Sequence, residues 1–142
     1  MSYSAAIAGL KNALDDVSGL ANVLDYEPPS FHVLPAVYLL LDSFQRTNAG
    51  QVTVMRYRVL CRLCVLWQDN ARAELELVPF VNSIPAAIDA DPTLGGALTR
   101  GFARVAEDAN AIAGFVRIGG TMYRSLDVYV DITDKGAYQS GI

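Results

Sequence analysis

The chain has 142 residues, of which 52% are apolar and 18% are charged, and it carries a formal net charge of −4. This length is typical of one domain with a single core, and the net negative charge argues against non-specific binding to DNA or RNA. Because the apolar share is high for a free-standing domain, we expect part of it to lie at a subunit interface.

The sequence predicts neither a targeting segment nor a membrane contact. The first candidate helix carries Lys11, Asp15 and Asp16, so it lacks the charge order and the apolar block of a signal peptide. The longest apolar run, residues 33–41, is interrupted by Pro35 and is too short to cross a bilayer. The chain is therefore expected to be cytosolic in origin.

The first 40 residues predict one helix and two strands. Apolar residues recur at helical spacing over residues 4–17, which predicts an amphipathic helix with one buried stripe. A short strand is predicted within residues 20–26, and the proline-rich residues 27–30 form a rigid connection. Residues 33–40 predict a buried strand, in which Pro35 either marks a sheet edge or confines the strand to the residues after it.

The middle of the chain predicts a loop and then a long strand. Residues 45–51 are polar and contain a turn signal, which favours a loop. Residues 52–67 alternate with period two: the odd positions are almost all apolar, whereas the even positions include Arg56, Arg58 and Arg62. One face of this strand is therefore expected to pack on the core, and the other is at least partly polar.

A second amphipathic helix follows this strand. Either Asp69 or Asn70 can serve as its N-cap. The apolar positions expected to face the sheet are Leu77, Phe80 or Val81, Ile84 and Ile88. Pro79 and Pro85 lie inside the helical pattern, which therefore allows either two helical pieces or one bent helix.

The sequence Asp91-Pro92-Thr93-Leu94-Gly95-Gly96 is predicted to stop this helix. Pro92 restricts Asp91 to extended backbone, and the paired Gly95 and Gly96 supply the backbone freedom that a turn requires. The segment holds no nucleophile beside a base and no metal-ligand spacing, so we interpret it as a structural turn.

The second half of the chain is predicted to be rich in strands, which cover residues 97–107, 112–118 and 122–132. A turn is expected at residues 108–110, and Gly119 and Gly120 predict a tight hairpin before the last strand. Residues 133–142 are expected to form a mobile tail. The predicted fold is a single α+β domain over residues 1–142, with a largely antiparallel sheet and two helices packed on one face.

Two interpretations of the arginine stripe remain open. Asp127 and Asp131 lie on the polar side of the last strand and can pair with the stripe of Arg56, Arg58 and Arg62 across the sheet within one chain. Alternatively, the stripe, which includes Arg56, is a subunit interface that meets an acidic patch on a neighbouring copy. Both hold if the pairing joins subunits of a ring.

Candidate chemistry is sparse. Cys61 and Cys64 form a C-x-x-C sequence, but within a strand this spacing places the thiols on opposite faces, which favours two reduced, packed cysteines over a redox or zinc site. The single histidine, His32, has no convergent partners in the sequence, so a half-buried structural role is favoured. The chain contains neither a nucleophile elbow nor a phosphate-binding glycine loop. We therefore predict no catalytic, cofactor-binding or metal-binding residues.

The turn from Asp91 to Gly96, together with Gly119-Gly120-Thr121-Met122-Tyr123-Arg124-Ser125, resembles the small tail-terminator (tail-completion) proteins of long-tailed bacteriophages. Those proteins carry a helix that ends in a D-x-T-L-G-G-like turn. A strand pair follows, whose second member begins with Gly-Gly and an aromatic residue. The order of the remaining elements is also similar, whereas the two prolines in the second helix depart from the commoner pattern.

The resemblance implies a structural protein that forms a ring, usually a hexamer, on the head-proximal end of the tail tube. Its implied partners are other copies of itself, the major tail tube protein and a head-completion or neck protein, in a virion assembled in the host cytoplasm. The alternatives are another neck or minor tail protein, a small cytosolic enzyme or redox protein that uses His32, Cys61 or Cys64, and a general oligomeric binding module.

Overall fold

The computed structural model describes residues 3–98, 100–107 and 112–135. Over this part of the chain the elements are α1 (Tyr3–Asp15), β1 (Asn22–Leu24), β2 (Ala36–Ala49), β3 (Val52–Leu66), α2 (Asn70–Asp89), β4 (Gly101–Val105), β5 (Ile112–Ile118) and β6 (Thr121–Lys135). They form one α+β domain with a mostly antiparallel sheet, which confirms the predicted fold class.

Strand β6 occupies a central position in the sheet. One of its edges pairs with β3 along most of its length. Its other edge is shared: β5 pairs with the first half of β6, and β4 pairs with the second half. On the far side of β3, the order continues through β2 to β1, and β1 is the one strand that runs parallel to its neighbour.

Both helices pack on the same face of the sheet, which we call the helix face. Alternate side chains of the central strands enter this core, because every second residue of a strand points to the same side. The core includes Leu10 and Leu14 from α1, Leu77 and Ile84 from α2, and Val59, Leu63, Val128 and Ile132 from β3 and β6. The opposite side, which we call the open face, is covered at one end by a smaller cluster of Tyr38, Cys64, Ile118 and Tyr123, against which Phe31 and Leu34 pack.

Helix α2 is one continuous helix, which decides between the two alternatives that its prolines allow. Asp69 is its N-cap, and the Asp69 carboxylate accepts a hydrogen bond of 2.8 Å from the backbone N–H of Arg72. Pro79 and Pro85 both lie inside the helix. Since proline has no N–H, the carbonyls of Leu75 and Val81 lack their usual intrahelical partners.

The predicted loop over residues 45–51 is wrong, because β2 continues to Ala49 and only Gly50 and Gln51 make the turn. Phe44 lies opposite Tyr57 in the ladder, and Asn48 lies opposite Thr53. Backbone pairing with β3 thus holds these residues in a strand although most of their side chains are polar and exposed. The predicted strand over residues 33–40 likewise begins only at Ala36, directly after Pro35.

The predicted strand over residues 97–107 is too long. Leu94, Gly95 and Gly96 have φ angles of 51°, 68° and 89°. The turn that they form continues through residues 97 and 98, because the N–H groups of Ala97 and Leu98 donate to the carbonyls of Leu94 and Thr93. The described strand therefore starts at Gly101. Of the predicted tail, residues 133–135 belong to β6, whereas residues 136–142 and the predicted turn at 108–110 lie outside the described residues.

Candidate functional site

Two of the three arginines of the stripe are paired with carboxylates of the same chain. Arg58 lies directly opposite Asp131 on the neighbouring strand, and Arg62 lies opposite Asp127. Each guanidinium donates two hydrogen bonds, from Nε and Nη2. The distances are 2.8 and 3.2 Å to Asp131 and 2.8 and 3.0 Å to Asp127. We call these four residues the arginine–aspartate ladder.

The ladder continues through Arg62 into the covered end of the open face. Arg62 Nη1 donates a 3.1 Å hydrogen bond to Tyr38 Oη, and Tyr38 Oη donates a longer bond of 3.5 Å to Glu27. The hydrogen bond to Asp127 raises the pKa of Arg62 above its usual value. Burial raises the pKa of Tyr38. The ladder thus anchors charged side chains beside an apolar cluster, as a bidentate, half-buried ion pair can do.

Arg56 differs from the other two arginines. It lies opposite Gln45 on one neighbouring strand and opposite Thr133 on the other, and its side chain is exposed. With Arg58 and Asp131 it lines a shallow cleft of about 190 Å³. The structure therefore shows the within-chain pairing of Arg58 and Arg62. A contact between the stripe and a neighbouring copy stays a prediction.

A second surface lies on the outer side of α2. We call Ala71, Leu75, Val78, Pro79 and Val81 the outer stripe. The Leu75 and Val78 side chains are 77% and 57% exposed. Together with Glu74, most of these residues line an open groove of about 560 Å³. Since α2 also buries five side chains on its other side, it carries apolar residues on two opposite sides.

Our sequence prediction missed the outer stripe. A pattern of one apolar stripe per helix allows Val81 as an alternative to Phe80 on the buried side, whereas the structure buries Phe80 and leaves Val81 44% exposed. The signal was nevertheless present, because positions 71, 75, 78 and 79 follow the spacing of three and four residues that defines a second helical face. An apolar face opposite an already buried face indicates a surface that is covered in an assembly.

The outer stripe adjoins an exposed aromatic group. Glu74 pairs with Arg124 at 2.7 Å, and the Arg124 guanidinium lies 4.8 Å from the centre of the Phe115 ring. Phe115 in turn makes an edge contact with Trp67. Both rings are partly exposed. This end of the molecule therefore places the outer stripe beside two exposed aromatic rings, with the Glu74–Arg124 ion pair between them.

The turn from Asp91 to Gly96 is held by its own hydrogen bonds. The Asp91 carboxylate accepts a 2.9 Å bond from the Gly95 N–H, and the Pro92 carbonyl accepts a 2.7 Å bond from Ala103 in β4. Leu94 is buried in the core. The turn thus joins α2 to the sheet, which is a structural role.

The paired glycines of the last hairpin also adopt left-handed backbone. Gly119 and Gly120 have φ angles of 58° and 80°, as a two-residue type I′ hairpin turn requires. A Cβ atom on Gly119 would lie 2.3 Å from the carbonyl oxygen of Pro29, whereas one on Gly120 would meet nothing within 4 Å. Gly119 therefore lets the proline-rich connection approach the hairpin.

The residues of the enzyme alternative are not brought together. Cys61 packs in the main core and Cys64 in the open-face cluster, and both thiols are free and buried. Burial raises the pKa of Cys64 to about 12 and also raises that of Cys61. His32 lies just after the proline-rich connection, where it lines a cleft of about 320 Å³ with Tyr26 and Phe31. Among the described residues, no group of three or more His, Cys, Asp or Glu side chains is placed to hold a metal ion.

Comparison of the chain with models of known protein families finds no match, and comparison with curated proteins finds no significant relative. Within the described ranges, neither helix has the length and apolar content needed to span a bilayer. The outer stripe and the arginine–aspartate ladder are thus the two features on which a functional proposal can rest.

Proposed function

We propose that this chain is a structural protein of a bacteriophage virion that forms a ring at the head-proximal end of the tail tube. The ring ends polymerisation of the tube protein and presents a surface to the head-completion or neck protein. The family resemblance of the Asp91–Gly96 turn and of the Gly119–Gly120 hairpin supports the phage assignment. The protein acts in the virion tail after assembly in the host cytoplasm.

The outer stripe of α2 is the main observation that supports the formation of a ring. A helix that is apolar on both faces needs a covering partner on each, and the sheet of its own chain covers only one. A contact that joins two different surfaces of identical chains is head-to-tail, and it closes into a ring when the rotation between neighbours allows closure. An apolar patch of this kind is typical of subunit interfaces.

Two measurements test this function. Analytical ultracentrifugation should show a hexamer, or a monomer that assembles when purified tail tubes are added. Electron microscopy should then show a ring at one tube end, and tube protein polymerised in the presence of the chain should stop elongating. A chain that stays monomeric at every concentration and leaves tube ends bare would refute the proposal.

Substitution of Leu75 by Asp provides the matched variant. This change places a charge in the middle of the outer stripe but removes no core contact, because the Leu75 side chain faces solvent in the isolated chain. We expect a folded monomer that forms no ring. The control is Tyr26→Asp, an equally polar change at another exposed apolar residue far from α2 in the sequence, which should leave the ring intact.

A further inference from the structure

We propose that the outer stripe of α2 is covered by the distal part of the β2–β3 hairpin of a second copy of this chain. We call this hairpin segment, residues 43–56, the arm. The proposal rests on the proposed function, since it names the two surfaces that meet at each contact of the ring. It follows from three properties of the arm: its uncovered face, its charge and its position.

Among the described residues, no helix lies on the helix face of the arm. Tyr57 is the last residue of this end of β3 to pack against the core, where it contacts Tyr3 at the start of α1 with ring centres 5.1 Å apart. Beyond this point Phe44, which lies opposite Tyr57, is 64% exposed, and Met55 is only partly buried opposite Arg46. The arm is thus a sheet face without a helix, whereas the outer stripe is a helix face without a sheet.

The charges of the two surfaces are opposite. The arm contains Arg46 and Arg56 and no acidic residue, so it carries +2. The rest of the chain keeps 9 of the 11 basic residues and all 15 acidic residues, which gives −6. Helix α2 has a net charge of −2, because its charged residues are Arg72, Glu74, Glu76 and Asp89.

Arg46 is the charged residue of the arm that we expect to contact the outer stripe. It lies on the same side of the arm as Phe44, and within the described residues it makes no ion pair. Asp134, opposite Met55, is the one carboxylate that the pairing register places on this side of the arm, and it is only 5% exposed. Glu76 borders the outer stripe and is likewise without an ion pair in the described part of the chain.

The arm cannot cover the outer stripe of its own chain, because the stripe lies on the side of α2 that faces away from the sheet and the arm is part of the sheet. The arm includes the start of β3, and α2 begins just after the end of β3. At the usual rise per residue, Met55 and Leu66 are separated by roughly 35 Å of strand. The stripe of one copy can therefore reach only the arm of another. This arrangement is head-to-tail, as a ring requires.

Charge reversal with rescue tests the contact. Arg46→Glu should weaken self-association by about tenfold or more, because it places like charges together at the interface. The double variant Arg46→Glu with Glu76→Arg should restore association to near the original strength. The control Arg104→Glu changes the charge equally at an exposed arginine of β4 and should have no such effect. Circular dichroism should show that every variant remains folded.

Crosslinking provides a test that does not depend on charge. Phe44→Cys and Leu75→Cys are prepared as separate variants, and the native thiols stay out of reach because both are buried. Mild oxidation of the mixture should give a disulfide-linked pair, whereas Leu75→Cys mixed with Tyr26→Cys should not.

The outcomes separate the two proposals. If the native chain associates but Arg46→Glu associates equally well and no crosslink forms, the arm contact is refuted while the ring stands. If Arg56→Glu, on the opposite side of the arm, abolishes association and Arg46→Glu does not, the contact lies on the open face and this proposal is wrong. If the native chain never associates, both proposals fail.

Discussion

Replacement of Arg62 by Met tests whether the arginine–aspartate ladder stabilises the fold of a single chain. The substitution keeps most of the apolar stem of the side chain but removes both hydrogen bonds to Asp127 and the bond to Tyr38. The Asp127 side chain is only 16% exposed, so water cannot fully replace the guanidinium. A hydrogen bond to a charged group contributes about 1.5–3 kcal/mol, and we expect a loss of about 2 kcal/mol.

The loss should be visible in thermal unfolding. For a domain of this size, 1 kcal/mol corresponds to a change in Tm of about 3 °C, so Arg62→Met should lower Tm by about 6 °C. Arg58→Met should have a smaller effect, since Asp131 is more exposed, at 31%. The control is Arg56→Met on the same strand, for which we expect a change within about 0.5 kcal/mol.

A double-mutant cycle isolates the pair itself. Arg62→Met, Asp127→Asn and the double variant should give a coupling free energy of about 1–2 kcal/mol, within the range for residues in direct contact. The measurement requires the chain below its association concentration. A coupling below about 0.3 kcal/mol, or equal changes in Tm for Arg62→Met and Arg56→Met, would show that the ladder does not stabilise the isolated fold.

Two further predictions concern the hairpin glycines and the thiols. Gly120→Ala should lower the free energy of unfolding by about 1 kcal/mol because residue 120 has left-handed backbone. Gly119→Ala should lower it by about 1–3 kcal/mol more, since the new Cβ would overlap the Pro29 carbonyl. Equal losses for the two variants in chemical denaturation would contradict the close approach of Pro29. Cys61 and Cys64 should react with a thiol reagent only as fast as the chain unfolds. Burial raises the pKa values of both thiols, so the unfolded chain releases these protons at lower pH than the folded chain. The free energy of unfolding should therefore fall as the pH rises above about 9, by up to about 1.4 kcal/mol per pH unit for each thiol. Fast labelling at neutral pH, or a slope unchanged by Cys→Ala at both positions, would contradict this burial.

The elements that were predicted well are those whose signals are local. The alternation in β3 depends only on which residues point the same way, and the capping role of Asp69 depends on one turn of helix. The distal half of β2 was missed because its side chains are mostly exposed and polar, so only its backbone pairing with β3 identifies it as a strand. The amino-acid composition of the segment does not reveal this backbone pairing.

The candidate site was predicted only in part. Pairing of the arginine stripe with Asp127 and Asp131 within one chain was one of two interpretations. The specific partners, such as Arg62 and Asp127, depend on the register between two strands whose paired residues are 65 positions apart. No local pattern determines such a register. The outer stripe was missed for a different reason: Leu75 and Val78 belong to a helix whose other face already explained its amphipathic pattern.

The central position of β6 has a consequence for the timing of folding. Among the described strands β6 comes last, yet it pairs with β3, β4 and β5, and Arg58 meets a residue 73 positions later. Such non-local pairing slows folding, because a long segment must be ordered before these contacts form. A chain emerging from the ribosome therefore leaves one backbone edge of β3 unpaired until β6 has been synthesised. Partly made chains therefore carry an unpaired strand edge, which can pair with a strand of another chain.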